Sequence, residues 1–264
     1  MTALTTPPRA ATLPRTDRTT AAEVATGQAT AYLGQLRALA EDDWRRPTDC
    51  VLWDVRQIAA HVTGAFEEGA RLGVMLRHLR AARRLAPPMA MVDALNGAQI
   101  EDRRDLPGPA IVDDLERLAA TAIRRRRRMP AVVRAMKVPG DDLPTGSTLG
   151  YLLDVIYARD VWMHRVDTAR ATGRTLPPAA GDDEVVAQVI RDLDRFWPGP
   201  AFVLDLAGAG AGRWQIGDGT PEAAVHADSV EFLRMLSGRP ADVELAVTGD
   251  DTIADRIRSA RVAF

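Results

Sequence analysis

The sequence predicts a mainly α protein with a smaller α+β domain at its C-terminal end. Two observations carry this. Between residues 20 and 175 apolar side chains recur at the three- and four-residue spacing of amphipathic helices, in four long patterns. After Pro177-Pro178 the texture changes to short alternating runs, glycine-rich turns and brief helical stretches, the signature of an α+β unit. The division expected is therefore a disordered arm over 1–19, a helical bundle over 20–175 and an α+β domain over 180–264.

The arm is assigned because Met1 to Thr20 holds prolines, threonines and arginines but no apolar core of the kind a secretory signal needs. The first helix opens at Thr20, with Glu23 three residues on as a capping box, and carries Ala25, Ala29, Tyr32, Leu36 and Leu39 on one face. The second starts at Asp54, with Gln57 in the N3 place, and runs to about Arg84, where Pro87-Pro88 stops it. A less regular segment through Asn96 and Arg104 leads to a third helix near Pro109. That helix ends in Arg124 to Arg128, whose five consecutive side chains sweep its full circumference and cannot form one nucleic-acid-binding face. They read as solvated cations offsetting the macrodipole. Thr145 to Ser147 cap a fourth helix that continues to Ala171.

Beyond it the pattern gives a helix over 182–196, strands over 202–206, 213–216, 223–226 and 243–247, and helices over 229–236 and 251–259. The run Gly208-Ala209-Gly210-Ala211-Gly212 follows a strand but leads into another strand. It lacks the helix N-terminus that would hold a pyrophosphate and reads as a hairpin turn.

Net charge is −2, so no field of one sign recruits nucleic acid or an acidic membrane. No apolar run approaches the roughly 18–20 residues that span a bilayer. Cys50 is the only cysteine, which excludes an internal disulfide and a cysteine-rich zinc site and fits a reducing cytoplasm.

The chemistry concentrates in the second and fourth helices. Asp160 and His164 are one turn apart on the stripe that passes through Leu149, Leu153 and Ile156, where the pattern calls for aliphatic residues. His61 lies on the stripe Ile58, His61, Val62, Ala65 of the second helix. Two histidines and a carboxylate from facing helices are a metal-ligand set with an open position, suited to zinc and acceptable to other divalent ions. Asp167 is expected to pair at the surface, His78 to be solvated among arginines, His226 to be a strand residue and Cys50 to be a packed thiol.

The order Trp44, Pro47, Thr48, Cys50, Trp53, Val55, His61, then Asn96, then Arg159 through Asp167 followed by Ala171 and Gly173-Arg174, resembles the mycothiol-dependent maleylpyruvate isomerase family. The resemblance implies a DinB-like metal-binding four-helix bundle followed by a sterol-carrier-like α+β domain. It implies a divalent metal, zinc, on His61, Asp160 and His164, although the isomerase carries glutamate where Asp160 stands, one methylene longer. It further implies mycothiol as thiol cosubstrate, a small electrophilic substrate, isomerase or S-transferase chemistry, and an assisting arginine of the second domain, for which Arg213, Arg234 and Arg239 are candidates. Two other functions fit the same residues: a non-catalytic small-molecule binding protein and a metal-dependent hydrolase.

Overall fold

The computed structural model describes residues 7–86, 88–138 and 143–264, so Pro87 of the proline doublet lies outside the described residues. The chain divides into two compact units, Asp17–Ala180 and a second made of Gly181–Phe264 with the segment that precedes Asp17.

In the helical unit, α1 (Arg18–Arg37) is capped by Asp17, whose carboxylate accepts from the Thr19 and Thr20 N–H groups. The Thr20/Glu23 box is not used, because an earlier oxygen already satisfies those donors. A 3-10 turn, Glu41–Arg45, buries Trp44. α2 (Val55–Ala70) opens on the reciprocal Asp54/Gln57 box that the sequence indicates. The long second helix is two helices: Arg71 leaves the helical region at φ −140°, ψ 97°, and α3 (Leu72–Leu85) starts again in a new direction. The bend brings His78 inward, where it is 1% exposed between Glu68 and Asp102 and not solvated. The segment read as irregular contains α4 (Met91–Glu101).

α5 (Gly108–Arg128) carries the arginine run. Four of the five follow expectation in not being buried, but Arg126 turns inward against Phe66 and Tyr157. After a short α6 (Ala131–Arg134), Thr148 caps α7 (Leu149–Tyr151), which passes through a π turn, Leu152–Ile156, into α8 (Tyr157–Thr172). The π turn inserts a residue and shifts the phase of everything before it. Leu149, Leu153 and Ile156 are consequently only half-buried, and Asp160 lies at a partly open edge rather than deep on an apolar stripe. Gly173 ends α8 in the left-handed region at φ 66°.

The core joins α1, α2, α5 and α8 through Tyr32, Leu36, Ile58, Val62, Phe66, Ile111, Leu115 and Val161. Each of these helices turns its apolar stripe to the others, the arrangement in which bundle sites are built from facing side chains.

The second unit contains α9 (Asp182–Arg195), β1 (Phe202–Ala207), β2 (Gly212–Ile216), β3 (Ala223–Asp228), α10 (Ser229–Leu236), β4 (Ala246–Gly249) and α11 (Thr252–Ser259). The sheet order is β2-β1-β3-β4, with β1 antiparallel to β2 and parallel to β3. The glycine run is the β1–β2 hairpin turn, with Gly208 at φ 90° and Gly210 at φ 67°. The segment before Asp17, expected as a disordered arm, is built into this unit from Pro8 onward. The Pro8 carbonyl accepts from Gln215, Ala10 is fully buried, and Arg9 and the Ala11 N–H bind the buried Asp194. A carboxylate withdrawn from water requires such donors, which is why the segment is held. Residues 1–6 of the expected arm lie outside the described residues.

Candidate metal centre

The capping box fixes the start of α2, and His61 follows two turns in, 5% exposed. α8 supplies Asp160 and His164 one turn apart, so the three nominated residues meet: one ligand atom of each lies within 4.8 Å of the other two. His61 Nε2 is 3.4 Å from Asp160 Oδ2, and His164 Nε2 is 3.3 Å from Asp160 Oδ1. These gaps exceed the roughly 2.7–2.9 Å of a charge-assisted hydrogen bond. They match ligand atoms around a tetrahedral ion, which stand about 3.3 Å apart when each is about 2.0–2.1 Å from it.

The far nitrogen of each ring is anchored. His61 Nδ1–H donates to Gln99 Oε1 at 2.7 Å, and His164 Nδ1–H donates to Asp167 Oδ2 at 3.0 Å. With those protons fixed, both Nε2 atoms face Asp160. Gln99 reaches His61 because α4 packs against Gly64: a Cβ there would come within 2.5 Å of Gln99 Cβ. Trp53 walls one side, its ring 5.2 Å from that of His61 and 6.2 Å from that of His164.

The electrostatics are those of a coupled cluster. Burial lowers the His164 pKa, but Asp160 and Asp167 outweigh it and push the imidazole up to about 9. Burial works against the Asp160 carboxylate, yet the charges of His164 and His61 and their bonds to it hold its pKa well below the usual range. The side chain of Asp160 is 22% exposed, so the cluster has one side open to ligand.

Asp167 is a correction: it is fully buried and orients His164 instead of pairing at the surface. Gln99 was not nominated from sequence at all, since a lone amide in a weakly periodic segment gives no signal; Asn96, quoted in the motif, is half-buried on the same helix. Cys50 is half-buried against the bundle core, and His226 is an exposed residue of β3. The three arginine candidates all belong to the α+β unit. Arg213 is exposed, Arg234 is fully buried between Glu231 and the Pro240 carbonyl, and Arg239 donates to Ser237 Oγ at 3.2 Å. Arg234 and Arg239 are both engaged within their own unit.

A helical bundle with a convergent, anchored His–Asp–His cluster, joined to a four-stranded α+β unit, defines a two-unit protein with a candidate metal centre in its larger half. A sequence profile described as the mycothiol maleylpyruvate isomerase N-terminal domain matches residues 25–169. The chain belongs to this family, one of enzymes. Two solved structures share the fold over 92% of this chain and 96% of their own. They are the mycothiol-dependent maleylpyruvate isomerase, at TM-score 0.55 and 17% identity, and a histidine-to-alanine mutant of it, at 0.53 and 18%. No curated protein matches the chain.

Proposed function

We propose that this chain is a metal-dependent, thiol-using enzyme of the isomerase or S-transferase type, in which His61, Asp160 and His164 hold a divalent ion, zinc in the first instance. The carrying observation is the 3.3–3.4 Å spacing of the two Nε2 atoms from Asp160, with both Nδ1 atoms tied elsewhere. Two neutral imidazoles and one carboxylate leave a divalent ion with one unbalanced positive charge and an open position, chemistry that lowers the pKa of an incoming thiol.

The protein's own residues do the positioning. Gln99 and Asp167 lock the ring orientations, Trp53 limits solvent on one side, and the partly exposed edge of Asp160 leaves the approach for thiol and electrophile. The thiol in this reading is mycothiol, which the family membership and the solved isomerase fold support. The substrate is a small electrophile. The α+β unit is the sterol-carrier-like part, with Arg213, Arg234 and Arg239 as the candidates for an assisting arginine. A cytoplasmic location completes the reading, supported by the single cysteine; among the described residues no helix is long and apolar enough to cross a membrane.

The test is elemental mass spectrometry of protein purified without chelator, followed by turnover of unsaturated electrophiles with and without mycothiol. About one equivalent of zinc and thiol-dependent conversion are expected. Turnover independent of thiol would replace this reading with the hydrolase, and failure to retain any divalent ion would replace it with the binding protein.

A further inference from the structure

Bare leucines and unpaired arginines share the outward face of α3. Of the eleven large apolar side chains exposed among the described residues, six lie between residues 72 and 92: Leu72, Leu76, Leu85, Met89, Met91 and Val92. Singly such residues need no explanation, but this concentration marks an interaction surface. The charge of the same stretch is one-sided. Between Glu68 and Asp93 the sequence holds five arginines and no carboxylate, in a chain whose net charge is −2. Glu67 and Asp102 pair with two of them, Arg71 and Arg77. Arg80, Arg83 and Arg84 are exposed and meet no carboxylate among the described residues.

The helix period arranges these groups. His78 and Ala82 are the buried side of α3. Leu72, Leu76, Leu79 and Arg83 follow at steps of four, three and four residues and form one stripe, in which Leu79 is half-buried and the other three are exposed. Arg80 and Arg84 run along its solvent side. The end of α5 adds to the field: a Cβ on Gly69 would come within 2.8 Å of Arg126 Nε and 3.2 Å of Ala122 Cβ, so α3 starts beside the last turns of α5 and their exposed arginines. A groove in a protein partner that received the stripe would bury the Arg83 charge among leucines. A two-fold contact with a second copy would set arginine against arginine. At an anionic bilayer neither problem arises, because leucines enter the acyl boundary by about 5–10 Å while the arginines snorkel to the lipid phosphates.

We propose that α3 is a membrane-surface docking helix, lying in the interface plane of a bilayer that contains anionic lipid, with Leu72 and Leu76 inserted and Arg80, Arg83 and Arg84 on the lipid phosphates. The net charge of −2 averages over a chain in which this surface is locally basic, so it does not oppose the contact. The contact is peripheral: α3 has 14 residues, four of them arginine, and is too short and too charged to cross. The inference is independent of the metal reading of the His–Asp–His cluster.

The experiment is co-sedimentation of the full chain, at low salt, with vesicles of phosphatidylcholine alone and of phosphatidylcholine mixed equally with phosphatidylglycerol. It is repeated on the double variant Leu72→Gln, Leu76→Gln and the triple variant Arg80→Gln, Arg83→Gln, Arg84→Gln, all at exposed positions, with folding followed by circular dichroism. Expected are binding of the mixed vesicles by the parent about tenfold or more tighter than of the neutral ones, and a loss of about tenfold or more in each variant. No binding by the parent, or equal binding of neutral and mixed vesicles, would overturn the proposal, and neither result needs a variant to fold. Undiminished binding by the triple variant would remove the arginines from the contact, and undiminished binding by the double variant would remove the insertion; either overturns the docking helix. Tighter binding of double-stranded DNA than of mixed vesicles would replace lipid by nucleic acid. A dimer that forms with concentration and is lost in the double variant, without vesicle binding, would give the surface to a second copy.

Discussion

Among the described residues the helical unit contains two buried clusters of histidine and carboxylate, built to opposite ends. Around His78 both ring nitrogens are used at short range, Nδ1 with Glu68 at 2.7 Å and Nε2 with Asp102 at 2.8 Å. Around His61 and His164 only the Nδ1 atoms are tied, and the two Nε2 atoms stand 3.3–3.4 Å from a shared carboxylate. The first arrangement is a closed ion pair that joins α3 to α2 and to the end of α4, and it has no lone pair to offer. The second turns two Nε2 atoms toward one carboxylate and keeps an ion's width open between them. Residue type does not distinguish them; the difference lies in which nitrogen is left unspent.

The sharpest break in the comparison comes from removing one histidine of each cluster. His164→Ala is expected to lose metal retention and thiol-dependent activity altogether with helix content nearly unchanged, read by elemental analysis and circular dichroism. His78→Ala is expected to keep its metal and lose about 3 kcal/mol of stability in urea unfolding, because Glu68 is left buried without its partner. Metal loss in the His78 variant with retention in the His164 variant would invert the assignment.

Smaller effects sharpen it. Gln99→Ala and Asp167→Ala leave His61, Asp160 and His164 in place but release the imidazole rings, and each is expected to weaken zinc affinity about 10–100-fold in chelator competition. A drop below threefold in both would mean that the rings are oriented by packing alone.

The smallest expected signal is in protons. With the His164 pKa at about 9 in the metal-free protein, the site holds a proton at pH 7.5 that a zinc ion must displace. Zinc uptake in weak buffer should therefore release close to one proton per ion at pH 7.5, falling toward zero above pH 9. The His78 cluster responds through stability instead. Burial lowers the His78 pKa, but Glu68 and Asp102 outweigh it, so the folded value is raised. Its contribution is complete below the unfolded value of about 6.5 and is lost as pH rises through the folded value. The stability difference between parent and His78→Ala should narrow accordingly from pH 6 toward alkaline pH.

Much of this was legible in the chain. His61 could be named because the period of its helix puts it on an inward face, and Asp160 and His164 because they stand one turn apart, although the stripe traced back through Leu149, Leu153 and Ile156 is broken by the π turn; helical spacing is a local property. The Asp54/Gln57 box and the hairpin at Gly208–Gly212 were legible for the same reason. The misreadings share a cause as well. His78 lies among arginines in sequence, yet the bend at Arg71 carries it to Glu68 and Asp102. Arg126 belongs to a run of five like charges, and only the position of α5 against α2 and α8 selects which one turns inward. The segment before Asp17 looked like a tail because its partner, Asp194, is more than 180 residues away.

The sequence by itself determined the mainly α class, the change to α+β after Pro178 and the identity of the three residues that converge, since each follows from the local spacing of the backbone. Only the tertiary structure decided which polar groups are spent and which are left open: Gln99 on His61, Asp167 on His164, His78 closed and, among the described residues, Arg126 without a carboxylate. The physical reason is that whether a buried polar atom is satisfied depends on the atoms brought to it by other helices, and no local pattern in a chain encodes that distance.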